Sequence, residues 1–398
     1  MRGGDSTGLR AYNARLIVDA VRQAGALSKA EIARATGLSG QGASVIVNAL
    51  IAEGVLEKRP KVRGQIGQPS TPIALKKRGA TAIGVKIGRR SLEVLCLDLT
   101  GEVLESRVER YAAPLPGPTL SAARTLTEEV LERLGPAGRT RLAGIGIAMP
   151  DDLHAWSEEL DLPATALADW READPAALLA ELTEAPVTRY NDATAACAAE
   201  ILAGVSITRQ SALYFYIGTF VGGGVVIGGR LYRGARQTAG ALGSFPIDGM
   251  APDGRPAQLI HAASAIDLER ALSAAGLDAA AMITGQADDA ARASAEPVFA
   301  AWCARAAPAL ARAIVGAISV VDFETVVIDG VLNPRWRRAL RHAVAEEIRR
   351  QNLAGLTLPE LATGSVGAQA RVLGAALLPL NDRFSPDIDL LVRGAIAR

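Results

Sequence analysis

Cysteine is scarce in this chain of 398 residues: Cys96, Cys197 and Cys303 lie far apart, with no CxxC and no histidine at ligand spacing. Neither a disulfide framework nor a structural zinc site fits that pattern, and the three are expected as buried thiols. An apolar leader is also missing after Met1-Arg2-Gly3-Gly4-Asp5. The most apolar helical stretch, around Ala309 to Val321, carries Arg312 and reads as too short to cross a bilayer. These absences lead to the expectation of a cytoplasmic protein without a membrane partner. What is present, 49% hydrophobic and 21% charged residues, suffices for two or three compact domains.

The net charge of +1 conceals an asymmetry. Residues 1–78 hold thirteen Lys/Arg against five Asp/Glu, and the remainder holds thirty against thirty-seven. A segment of charge +8 joined to one of −7 suggests a module that approaches a polyanion, attached to one with another task.

The basic segment reads as three helices and a hairpin. Leu16, Ile17, Ala20, Val21 and Ala24 recur at helical spacing up to Gly25. Ser28-Lys29-Ala30-Glu31 is a capping box opening a second helix that stops near Gly37. Ser39 caps a third, with Ala43, Ile46, Val47, Leu50 and Ile51 on one face and Gln41, Ser44, Val45 and Asn48 on the other. The β-like runs Val55 to Lys58 and Pro72 to Leu75 flank a basic, Gly/Pro-punctuated loop, which predicts a winged helix-turn-helix and a double-stranded DNA partner. No Lys or Arg lies on the third helix. Base readout by Gln41, Ser44 and Asn48 is therefore expected to be thin, with Arg63, Gln65 and Gln68 of the wing supplying much of the affinity through the minor groove.

Lys76-Lys77-Arg78-Gly79 reads as a polar hinge, after which strands and helices alternate as in an α/β fold of two similar lobes. A β-like segment ends at Asn191-Asp192 and a helical run begins there, the position where α/β folds place ligand chemistry. Asp192 suits a base for a hydroxyl and Asn191 suits its orientation, although either residue could merely cap the helix. The run Gly218 to Gly224 offers a possible anion cradle.

Several stretches together resemble the ROK (repressor, open reading frame, kinase) family. They are Gly64-Gln65-Ile66-Gly67-Gln68-Pro69, Gly144 to Pro150, Asn191 to Ala196, the glycine run, Arg230 to Ala235 and Ala239 to Gly243, in family order. The resemblance implies a winged helix-turn-helix over residues 1–78 and an actin-like, two-lobed sugar-kinase fold over 79–398. The small lobe would span about 79–190 plus the C-terminal helix, and the large lobe about 191–377. It also implies a homodimeric repressor of carbohydrate genes, with Asn191 and Asp192 kept as ligand-binding residues; Ser244, His261 and Lys86 are further ligand-binding candidates of this chain's own.

The chain departs from the family's kinases where they hold ATP and metal. Their acid-bearing first strand reads Gly84-Val85-Lys86-Ile87-Gly88-Arg89-Arg90 here, and their adenosine-side glycine pair is Asp329-Gly330. Lys86 cannot hold Mg²⁺, on which phosphoryl transfer depends, so Asp192 is expected as a vestigial base in a protein that is not an enzyme. Ala241 and Ser244 replace the family's sugar-binding acid and histidine, and Pro252 to Ile260 replaces its cysteine-rich zinc loop. No metal and no cofactor are expected. Lys86, Arg89 and Arg90 would favour an anionic ligand if they faced the cleft, and would be ordinary ion-pair partners if they did not. Two alternatives stay open: an ATP-dependent sugar kinase with an added DNA-binding domain, and a DNA-binding oligomer without a ligand.

Overall fold

The computed structural model describes residues 6–60, 71–207, 210–251 and 253–386. Its first unit runs from α1 (Ser6–Ala24) through β1 (Ala26–Leu27) to α2 (Lys29–Thr36) and α3 (Gly40–Ala52). Local chemistry sets these boundaries. Glu31 N–H donates to Ser28 Oγ at 3.3 Å while Ser28 N–H donates to Glu31 Oε2 at 2.7 Å, completing the capping box. Gly37 ends α2 at φ +69°, a left-handed conformation that glycine adopts without a Cβ clash. Strands β2 (Leu56–Lys58) and β3 (Ile73–Leu75) join β1 in a sheet of order β1-β3-β2. The loop between β2 and β3, with Arg63, Gln65 and Gln68, lies outside the described residues.

In the small lobe, β4 (Thr81–Ile87), β5 (Ser91–Asp98) and β6 (Val103–Arg110) form an antiparallel meander. Helix α4 (Pro116–Thr140) then crosses to β7 (Leu142–Met149), and α5 (Pro175–Ala180) to β8 (Val187–Asn191), both parallel additions. Strands β4 and β7 are buried at every residue, as their apolar runs require of strands covered on both faces.

Helix α6 (Asp192–Leu202) leads into the large lobe, where β9 (Ala212–Ile217), β10 (Val221–Ile227) and β11 (Arg230–Tyr232) form a second meander. A ribbon of β12 (Pro246–Met250) and β13 (Pro256–Gln258) follows, then α7 (Ile260–Ala263), α8 (Ala265–Ala274), α9 (Ala279–Thr284) and α10 (Asp289–Ile318). Strand β14 (Thr325–Gly330), α11 (Pro334–Arg349) and β15 (Glu360–Thr363) complete the sheet, and α12 (Ala370–Phe384) returns to the small lobe. The sheet orders β6-β5-β4-β7-β8 and β11-β10-β9-β14-β15 repeat one topology, a meander followed by two parallel additions. This duplication makes the α/β fold actin-like.

Helix α10 corrects one expectation. The apolar stretch near Ala309 belongs to a helix of 30 residues, long and apolar enough to span a bilayer, whose Trp302, Leu310 and Ile314 are buried in the large-lobe core. The three cysteines are free and buried.

Glycines let α12 lie flat on the small-lobe sheet: a Cβ on Gly84 would stand 2.4 Å from Val372 O, and one on Gly146 2.0 Å from Ala375 O. Its Val372, Ala376, Leu380 and Phe384 share one apolar cluster with Ile17, Val21, Ile32 and Val47 of the winged helix and with Leu95 and Leu97 of β5. Arg15 Nη1 donates to Asp382 O at 3.0 Å and Arg22 Nη2 to Ser385 Oγ at 3.0 Å. The expected hinge is likewise tied down. Lys76 N–H donates to Val55 O, Arg78 N–H to Asp98 Oδ2, and Lys77 pairs with Glu102. The Lys77 side chain meets the Glu102 carboxylate in the turn after β5 and the Arg78 backbone meets the Asp98 carboxylate on β5, so the segment is a docked turn.

Candidate functional site

Strand β8 ends at Asn191 and α6 begins at Asp192 without a loop, which delivers both side chains to the carboxyl edge of the sheet. Asn191 is the cap: its Oδ1 accepts from Ala193 N–H at 3.0 Å and Thr194 N–H at 3.2 Å, while its Nδ2 donates to Asp151 Oδ2 at 2.9 Å. Asp192 is left for another partner. Arg371, in the first turn of α12, donates to Asp192 Oδ2 from Nη1 at 3.1 Å and lies over the Tyr216 ring, 5.2 Å from its centroid. Arg371 Nε and the buried Tyr216 hydroxyl have no hydrogen-bond partner among the described residues.

Between the lobes a cavity of about 220 Å³ is lined by Asn191, Asp192, Thr194, Ser244 and Arg371, among others. Trp156 of the small lobe and Phe220 of the large lobe meet edge to face across it, with centroids 4.6 Å apart. The volume is below the roughly 300–1,000 Å³ of drug-sized pockets and suits a small polar molecule. The glycine run serves packing here. Gly222, Gly223 and Gly224 pair with Tyr216, Phe215 and Tyr214 inside the sheet, and Cβ atoms on Gly222 and Gly224 would stand 2.7 Å and 2.5 Å from the Cβ atoms of Ala193 and Cys197. Their backbone N–H groups belong to a strand on which α6 sits, so they form no anion-binding loop.

Two expected ligand residues are placed elsewhere. Lys86 does not line the cavity: its Nζ donates to Glu93 Oε1 at 2.6 Å and Ser91 Oγ at 2.8 Å. Register explains this, because Glu93 lies directly opposite Lys86 in the β4–β5 pairing. His261 is also outside the lining, and its Nδ1 accepts from Gln258 N–H at 3.0 Å. Arg89 reaches the lining, yet together with Arg90 it is ion-paired to Glu269 of α8, a bond from one lobe to the other. Arg270 Nη2 adds a second bridge to Glu159 O at 2.7 Å.

Burial, reinforced by Arg371, pushes Lys86 down to about 8 despite Glu93. Burial pushes the Glu93 carboxyl up, but Lys86, Ser91 and Arg371 outweigh it and hold it below its ordinary value. The unfolded chain therefore binds the lysine proton more tightly, and stability rises as pH climbs from about 8 towards the ordinary 10.5. Urea unfolding of wild type and Lys86→Met is expected to show a difference that moves in favour of wild type across this window. A pH-independent difference refutes it.

On the winged helix, Gln41 and Asn48 are exposed on α3 and Ser44 is half-buried. The cation missing from α3 arrives from α2, where Lys29 Nζ donates to Asn48 Oδ1 at 2.7 Å and Ser44 Oγ at 3.1 Å.

The ROK family pattern matches residues 82–381. The chain belongs to the ROK family. A winged helix-turn-helix DNA-binding pattern matches residues 10–57. The chain is 26% identical over 94% of its length to the uncharacterized protein y4fQ of Sinorhizobium fredii, covering 91% of that protein. It is 24% identical to a xylose repressor of Bacillus spizizenii over 61% of the chain and 62% of the repressor. A solved ROK family transcriptional regulator, a homologue of the E. coli MLC protein, superposes with a TM-score of 0.69 at 20% identity, over 98% of this chain and 100% of that one. This protein is a ROK-family transcriptional regulator with a winged helix-turn-helix.

On the side where ROK kinases keep their adenosine glycines, Asp329 is fully buried and ion-paired with Arg337. Tyr214 Oη and Gly367 N–H donate to Asp329 Oδ2 at 2.9 Å and 3.1 Å, and Arg337 Nη1 also donates to Gly364 O at 3.2 Å. Neither this network nor the role of Arg371 is visible in the sequence, since each joins residues on separate elements. Lys29 was in view as part of the capping box, but its reach to α3 depends on the angle between two helices.

Proposed function

We propose that this ROK regulator is a cytoplasmic, homodimeric repressor of carbohydrate uptake or catabolic genes. A sugar-like ligand in the interlobe cleft controls it, and it carries out no phosphoryl transfer. The observation that carries this reading is the Asp192–Arg371 pair. At the position of the family's base, a carboxylate is held by the first turn of the helix whose other end supports the DNA-binding unit. Lys86, engaged by Glu93, stands where a kinase needs an acid for its metal, which supports sensing over catalysis.

Helix α12 is the physical link. Fifteen residues span about 22 Å at 1.5 Å per residue, from Arg371 at the cleft to the contacts of Asp382 and Ser385 with α1. Ligand hydroxyls donating to Asp192 compete with Arg371, whose Nε has no partner among the described residues. A guanidinium released from Asp192 changes the seat of α12, and with it the placement of α1 and the recognition helix. The ionised lining, Arg89 and Arg371 against Asp151, Asp152 and Asp192, favours a neutral, hydroxyl-rich ligand. With Lys86 turned away, the anionic alternative loses its main support.

The test is a thermal-shift screen of pentoses, hexoses, polyols, sugar acids and sugar phosphates, with xylose included because a xylose repressor is among the relatives. A neutral sugar or polyol is expected to raise the melting temperature by a few degrees at about 100 times its Kd, equivalent to about 2.7 kcal/mol. Asp192→Asn should remove the shift. Absence of any stabilising ligand would favour the ligand-independent oligomer, and Mg-ATP-dependent hexose turnover abolished by Asp192→Asn would restore the kinase.

A further inference from the structure

Lys29 does more than join two helices, because its chemistry fixes which atoms of its neighbours face outward. An ammonium group has three donors and no acceptor, so the Asn48 atom turned towards Lys29 is the amide oxygen. The Asn48 NH₂ is consequently directed away from Lys29. Ser44 Oγ likewise accepts from Lys29, which leaves its hydroxyl hydrogen available as a donor. Lys29 keeps a third hydrogen beyond the two bonds it makes. One face of the winged helix thus gathers three groups that all donate, and the residue that arranges them comes from α2 rather than from α3.

We propose that Lys29, Ser44 and Asn48 act as one reading group that presents donors outward and selects guanine in the major groove. Guanine alone offers two acceptors there, N7 and O6, whereas adenine pairs an acceptor with the N6 donor and cytosine presents the N4 donor. A donor facing N6 or N4 is desolvated without a partner, which discriminates against those bases. An unconstrained asparagine prefers adenine, accepting from N6 and donating to N7, and it is the bond from Lys29 that withdraws the acceptor. Lys29 is therefore both a contact and the residue that orients Asn48. This inference rests on the DNA-binding assignment and is independent of the effector.

The experiment is selection of bound duplexes from a randomised pool with the full-length protein, followed by titration of the selected duplex and its single-base variants. Wild type is expected to enrich an invariant G·C pair beneath α3 and to lose roughly 5- to 100-fold in affinity when that guanine becomes adenine. Lys29→Met should abolish the preference while the melting temperature confirms a folded protein. Asn48→Asp, which keeps a partner for Lys29 and exchanges donors for acceptors, should turn the preference towards cytosine. Three results would overturn the proposal: adenine selected at that position, a base preference unaltered in Lys29→Met, or a uniform loss across all sequences with a salt slope reduced by about 1, the mark of a phosphate contact alone.

Discussion

Arg337→Leu is expected to destabilise the large lobe by about 3–5 kcal/mol, the cost of stranding one member of a buried ion pair. Asp329 is 0% exposed and the Arg337 side chain 10% exposed, so water cannot replace the lost partner. Among the described residues Tyr214 and Gly367 would remain as donors to that carboxylate, and burial beside Asp329 already drives the Tyr214 hydroxyl well above its ordinary pKa. The carboxylate joins the end of β14 to α11 and to the turn before α12, which is why the effect should be cooperative. Urea unfolding followed by tryptophan fluorescence is the measurement, since Trp302 and Trp336 lie in the core of the same lobe. The double variant Asp329→Asn/Arg337→Met, which leaves no buried charge, should recover much of the loss. A single-variant loss below about 1 kcal/mol would show that the pair contributes no more than a surface bridge.

Arg371→Met should have a smaller effect on stability and a larger one on regulation. Asp192 and Arg371 retain 18% and 12% side-chain exposure, so solvent can partly satisfy the abandoned carboxylate. Effector-dependent regulators typically couple their two sites by about 1–3 kcal/mol, a 5- to 150-fold change in operator affinity. In Arg371→Met that ratio is expected to collapse towards 1, with operator binding retained and the stabilising sugar still detected by thermal shift. The comparison needs operator titrations with and without the sugar that stabilises wild type. An unchanged ratio would remove Arg371 from the transmission path.

Features decided within a few residues were legible in the sequence. The Ser28–Glu31 box and the Ser39 cap depend on local backbone chemistry and stand where the reading put them. The apolar face of α3 followed from helical spacing for the same reason, whereas on α1 Ile17 and Val21 are buried as read but Val18 joins them and Ala24 is exposed. Long-range pairing was not legible. Arg371 and Asp192 are 179 residues apart, and no local pattern marks one as the partner of the other. The glycine run misled because close approach of a helix to a strand asks for the same residue as an anion-binding loop. Lys86 misled because its direction is set by its cross-strand neighbour Glu93, which a strand pattern cannot reveal.

The shared seat of Phe384, Leu380 and Leu95 under α1 and α3 has a consequence for how such regulators diversify. A reading head built this way is no interchangeable cassette. Excised, it would present to water the side chains that now meet the C-terminal helix, and a graft of foreign specificity would keep its signal only by reproducing the same footprint on that helix. Changes of operator preference in this lineage should therefore accumulate on the outward face of the recognition helix and its lysine neighbour, while the inward face stays bound to the sensor it reports for.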